Sequence, residues 1–221
     1  MFIAFKMSAA RTRRQLRKNS TKLSDPKLLQ LNGQLARAAG ITNVSVMVHD
    51  VDAINGLATP EGDIYLTRGL LDCHRRQELS AEEVCSVTAH ELGHVALGHA
   101  KKRLATLAIQ NAIRSVFGVA LGRLVPIPGG RFAIGWLADL LVRLLVAGFS
   151  RADELQADKY ATALMIKSGL GTEPQKNLLR KLEELSGRPA TGVAWLISHP
   201  SISKRIEAIE LNEHHWKLEG K

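Results

Sequence analysis

Two histidines four residues apart, with a glutamate beside the first, constrain this chain more than any other feature: His90-Glu91-Leu92-Gly93-His94. On an α-helix, residues four apart lie one turn apart on the same face. The spacing therefore lets both imidazoles aim a ring nitrogen at one ion. The helix is also signalled locally. Ser80-Ala81-Glu82-Glu83 is an S-x-x-E capping box just ahead of the motif. Val84 to Leu97 is mostly apolar, the mark of a buried helix. The competing reading is a surface helix that carries two histidines by coincidence. The apolar flanks count against it, because a buried histidine ordinarily has a partner.

The residue types specify a chemistry. A catalytic zinc site uses three protein ligands and keeps a fourth position open. The ion lowers the pKa of a bound water to about 7 and polarises a carbonyl. Glu91, next to the first ligand, is placed to take the water's proton. The third ligand must come from another element, and Glu154 is the best candidate. Ser150 and Asp153 form an S-x-x-D helix start, and Glu154 and Asp158 are then i,i+4 neighbours. That spacing suits Glu154 as ligand and Asp158 as the carboxylate that fixes a ligand histidine's tautomer. A solvated acidic face is the bland alternative. It fits poorly with Ala157, Tyr160, Ala161 and Leu164, which follow at buried-face spacing.

Four blocks of the chain together resemble the HtpX-like and CAAX-prenyl-endopeptidase family of zinc metallopeptidases, which are gluzincins. TAHELGHVALGH (Thr88 to His99) is similar to the family's metal-binding helix, and SRADELQAD (Ser150 to Asp158) to its E-x-x-x-D helix. SHPSISKRI (Ser198 to Ile206) resembles its histidine-proline and arginine block, and INGLATPEGDIYLTRGLLD (Ile54 to Asp72) the strand pair ahead of the metal helix. The resemblance implies one Zn2+ per chain on His90, His94 and Glu154, with Glu91 as general base and Asp158 behind a ligand histidine. It further implies that His199 and Arg205 stand near the substrate carbonyl. Taken alone, His199 reads as a loop histidine and Arg205 as a solvated helix residue. The resemblance also implies that an extended protein or peptide substrate adds to the edge formed by Asn55, Gly56, Leu57 and Ala58. The family usually has Asn-Ala there, and Gly56 weakens a strand interior.

Length and composition fit one ordinary domain. The 221 residues are 45% hydrophobic and 23% charged, enough to bury one core. Aromatics are only 5%, so aliphatic packing must dominate. Cys73 and Cys85 give no disulfide framework, and a reducing compartment is the simpler expectation. The net charge is +9, with Arg11, Arg13, Arg14, Arg17, Lys18, Lys22 and Lys27 concentrated near the start. No secretory signal peptide is evident. A solvated arm, a segment attracted to anionic lipid and a nucleic-acid contact all compete for this run. The last lacks interleaved aromatics and any motif, so no nucleic acid is expected. The expected location is cytoplasmic, with peripheral membrane contact; an Arg- and Ser-containing, acid-poor start also fits a mitochondrial presequence.

The expected organisation is a basic arm over 1–25 and a metallopeptidase domain over 26–221, mostly helical α+β, with a small sheet ahead of the metal helix. Helices are expected over 26–39, from 81, and over 151–167, 173–185 and 202–214; strands over 44–48, 51–58 and 64–67. His99 is a reserve ligand that sits off the His90/His94 face. Leu104 to Phe149 is apolar, broken by Pro126-Ile127-Pro128-Gly129-Gly130, and reads as a helical hairpin. Gln110, Arg114, Asp139 and Arg143 interrupt it, and each charge at bilayer depth costs about 2.5–3.5 kcal/mol. An amphipathic hairpin that covers the core or lies in a membrane interface is preferred to two spans. The functional expectation is a zinc metalloendopeptidase; a non-catalytic, zinc-stabilised binding protein is the alternative.

Overall fold

A computed structural model describes residues 14, 16–99, 102, 151–186 and 202–219. The hairpin expected over 104–149 lies outside the described residues. The sheet has four short strands, β1 (Ser20–Lys22), β2 (Val46–His49), β3 (Gly56–Ala58) and β4 (Ile64–Thr67), in the order β1-β2-β4-β3. β2 and β4 run parallel, with Val46 opposite Ile64 and His49 opposite Thr67. The two flanking pairs are antiparallel. β4 is buried along its whole length, as a central strand of Ile-Tyr-Leu-Thr should be.

The helices are α1 (Pro26–Ala39), α2 (Arg68–Arg75), α3 (Ala81–Ala96), α4 (151–167), α5 (Glu173–Ser186) and α6 (Ile202–Glu219). α1 starts where Asp25 accepts the Leu28 N–H at 2.9 Å, with Pro26 in the first turn. It stops at Gly40, whose φ of 71° suits glycine. α3 has both legs of the capping box: Glu83 N–H donates to Ser80 Oγ at 3.1 Å, and Ser80 N–H to Glu83 Oε2 at 2.7 Å. This helix is the hub. It packs on α1, α2, α5, β3 and β4, and its residues from Ala81 to Gly93 are buried almost without interruption. The core is aliphatic, with Leu28, Leu31 and Leu35 of α1 meeting Val84, Val87 and Ala89 of α3 and Ile64 and Leu66 of β4.

Three local expectations change. Ser20–Lys22, read as part of a basic arm, is an edge strand on β2. The strand expected over 51–58 contracts to β3, because Asp50 and Asp52 are held in a turn by Arg68 (Nε to Asp50 Oδ1, 2.7 Å). α2 was not expected: Thr67 ends β4 and caps the helix at once, accepting the Leu70 N–H. Both cysteines are buried free thiols. Burial pushes the Cys85 thiol up to about 12. Among the described residues no helix is long and apolar enough to cross a membrane.

Candidate metal centre

α3 supplies His90, Glu91 and His94, and α4 supplies Glu154. The two helices meet at Gly93. A Cβ at this position would stand 2.8 Å from the Ala157 carbonyl oxygen and 3.0 Å from Ala157 Cα, so only glycine allows this approach. The contact carries Glu154 to the histidines. His90 Nε2 lies 3.1 Å from His94 Nε2, 3.3 Å from Glu154 Oε2, and His94 Nε2 lies 3.4 Å from Glu154 Oε1. Ligands at ~2.0–2.1 Å around a tetrahedral ion are separated by about 3.3–3.4 Å, so the donor set fits a small divalent cation. Among the described residues this is the one group of three or more such donors able to share an ion.

Behind His90 stands a buried charge network. His90 Nδ1–H donates to Asp158 Oδ1 at 2.9 Å, which leaves the Nε2 lone pair facing the other donors. Arg205, from α6, donates to Asp158 through Nε at 2.6 Å and Nη2 at 2.8 Å. Its Nη1 is 3.8 Å from Glu154 Oε2. Gln175 of α5 donates to Asp158 Oδ1 at 3.4 Å. Burial alone would raise the Asp158 pKa; the Arg205 guanidinium and His90 reverse this and hold it well below the usual carboxylate range. Opposing influences meet at His90. Burial and Arg205 oppose protonation of His90, yet Asp158 and Glu154 carry its pKa up to about 9.

Glu91 is 2% exposed. Burial, aided by Glu154, raises its pKa to about 7, against the lowering influence of His90, Arg205 and the Ala58 backbone N–H on β3. A carboxylate poised there can take and return a proton near neutral pH. On the other side, burial lowers the pKa of His94. Its Nδ1 lies 2.9 Å from His99 Nδ1.

The structure thus brings together His90, Glu91, His94, Glu154, Asp158 and Arg205. Arg205, which the resemblance places near the substrate carbonyl, has its Nη1 3.8 Å from Glu154 Oε2. It is 2% exposed and engages Asp158 behind His90, where it positions a carboxylate. Asn55 N–H donates to Thr67 Oγ1 at 2.9 Å. Gly56, Leu57 and Ala58 form β3, which ends the sheet order among the described residues and packs on α3. His199 lies outside the described residues. Sequence reasoning missed Gly93, Gln175 and the position of His99; Gly93, inside the motif, and Gly98, a helix-stop glycine ahead of His99, carried signals.

Residues 22–213 match the model of Peptidase family M48. The chain is 31% identical to Metalloprotease LoiP of Escherichia coli (strain K12) over 169 residues, which is 75% of this chain and 61% of LoiP. It is 27% identical to Protease HtpX of Stutzerimonas stutzeri (strain A1501) over 251 aligned positions, 95% of this chain and 80% of that protein. Human mitochondrial Metalloendopeptidase OMA1 is 23% identical over 177 residues, 77% of this chain and 33% of OMA1. The chain therefore spans less than two thirds of the length of LoiP, and a third of OMA1. The matched region contains every residue of the centre described above, and the chain belongs to peptidase family M48.

Proposed function

We propose that this protein is a zinc metalloendopeptidase of the gluzincin type that hydrolyses peptide bonds in extended protein substrates. One observation carries the proposal: two imidazole nitrogens and a carboxylate converge within 4.8 Å of one another, beside a buried glutamate that is not part of the triad. Zinc held by His90, His94 and Glu154 would supply Lewis acidity to the carbonyl and lower the pKa of a water to about 7. Glu91 accepts the proton of the attacking water and returns it to the leaving amine. Asp158 fixes the His90 tautomer and Arg205 fixes Asp158. The β3 residues Gly56, Leu57 and Ala58, preceded by Asn55, offer a sheet edge to which an extended peptide adds as a strand. His199 and Arg205 carry the family expectation of serving the carbonyl; for Arg205 its burial favours positioning over contact. The basic start of the chain and the apolar 104–149 segment form two weak anchors to an anionic membrane surface.

Glu91→Gln tests the chemistry. The amide keeps the shape and loses the proton acceptor, so zinc content should stay stoichiometric while casein-type proteolysis falls by roughly 10²–10⁴-fold. A variant within a few-fold of wild type would remove Glu91 as the base. Stoichiometric zinc in a wild type that cleaves no protein would leave the zinc-stabilised binding protein.

A further inference from the structure

The second ligand histidine has a support of its own, built differently from the first. α3 ends at Ala96, Leu97 closes it, and Gly98 takes a φ of 67°. The chain therefore reverses one turn after His94. On a continued helix His99 would point away from the site; after this reversal it returns to it, 4% exposed. His99 Nδ1 lies 2.9 Å from His94 Nδ1. Its other nitrogen, Nε2, lies 3.2 Å from Gln156 Oε1 and 3.8 Å from Asp153 Oδ1. Asp153 is itself held by Lys102, Nζ to Oδ1 at 2.7 Å.

The proton positions follow. Two ring nitrogens at hydrogen-bond distance share one proton. A histidine that binds a metal through Nε2 keeps its proton on Nδ1. His94 Nδ1–H must then donate to an unprotonated His99 Nδ1, and neutral His99 must carry its proton on Nε2. That proton faces the Gln156 carbonyl oxygen, which is an acceptor. With His94 on the metal, this is the assignment in which the His94 and His99 ring donors both meet an acceptor. His99 is not a further ligand: the Nδ1 that faces the centre is engaged by His94, and the donor group is His90, His94 and Glu154.

We infer that His99, set by Gln156 on α4, is the positioning residue of the second ligand histidine, locking the His94 ring and tautomer as Asp158 does for His90. This rests on the proposal that His94 binds the metal. It extends that proposal, since it gives the turn after the metal helix and the exposed face of α4 a task in metal affinity.

Zinc affinity of the metal-free full chain, measured by competition with a chromogenic chelator, tests this together with the visible spectrum of the Co(II)-loaded protein. His99→Phe keeps the ring and removes both nitrogens; His99→Asn keeps an acceptor near Nδ1. Loss of such a partner typically weakens metal binding about 10–100-fold. His99→Phe should show that loss and a changed Co(II) spectrum, with His99→Asn within a few-fold of wild type. A residue that merely fills space would move the melting temperature of the metal-free protein and leave affinity and spectrum alone. Equal affinity and superimposable spectra for His99→Phe and wild type would overturn the inference, as would His99→Asn as weak as His99→Phe. If neither variant folds, Gln156→Leu at its exposed position is read instead: weakening of threefold or more supports the relay, and unchanged affinity overturns it. A wild type that takes up no zinc would refute the metal site itself, a separate failure.

Discussion

The walls behind His90 and His94 are built from different materials. Behind His90 lies charge: Asp158, clamped by the Arg205 guanidinium, all nearly inaccessible to solvent. Behind His94 lies a hydrogen-bonded row, His99 then Gln156, that runs out to the exposed side of α4 beside the Asp153–Lys102 ion pair. The first wall is made by three helices far apart in sequence, and the second by a turn plus one side chain of α4. A buried ion pair is costly to break because it leaves a charge unmatched; a neutral hydrogen bond contributes about 0.5–1.5 kcal/mol. The His90 wall should therefore govern the stability of the fold, and the His94 wall only the metal.

Asp158→Asn should have the largest effect. It strands Arg205 in the interior, which costs roughly 3–5 kcal/mol, read as a drop in denaturant stability at pH 7. The pH dependence has a defined sign. A carboxylate held below its unfolded pKa of about 3.9 stabilises the fold fully above that pH, and the contribution is lost as pH falls toward the folded pKa. The gap between wild type and Asp158→Asn should accordingly narrow below about pH 4. A gap that is constant with pH would show that the pair is not ionic.

Gly93→Ala should follow, at about 1–3 kcal/mol for overpacking, because its Cβ meets the Ala157 backbone. It tests both walls at once. Separating α3 from α4 withdraws Glu154, Asp158 and Gln156 together, so zinc affinity should fall along with stability. A stable variant with unchanged affinity would mean that the helices do not set the site. Gln175→Met should have the smallest effect, about 0.5–1.5 kcal/mol, since its two 3.4 Å bonds to Asp158 are secondary to Arg205 and the Thr162 hydroxyl that it accepts from keeps the Asp158 carbonyl. A loss as large as that of Asp158→Asn would move the weight of the His90 wall from Arg205 to α5.

What could be read from the sequence follows the range of the forces involved. Periodicity and capping are local, so α3 was legible from Ser80, Glu83 and the histidine spacing, and Glu154 with Asp158 from one helical turn. β4 was legible as a short apolar run. β1 was hidden because Ser-Thr-Lys has no apolar alternation; it pairs with β2 through its backbone and the Ser20 hydroxyl on His49. α2 was hidden because Thr67 serves two elements with no loop between them. Arg205 could not be read as buried, since its partner Asp158 is 47 residues away and nothing on α6 announces it. His99 was misjudged by extending the helix through Gly98, whose left-handed φ reverses the chain.

The metal content of protein purified without added metal, for wild type and Glu154→Ala side by side, decides whether His90, His94 and Glu154 hold a zinc ion. Wild type should carry one zinc per chain. Glu154→Ala, left with two imidazoles and too few ligands for a tight site, should lose it while keeping its helical circular dichroism. Stoichiometric zinc in folded Glu154→Ala, or another metal in its place in the wild type, would contradict the assignment of this centre.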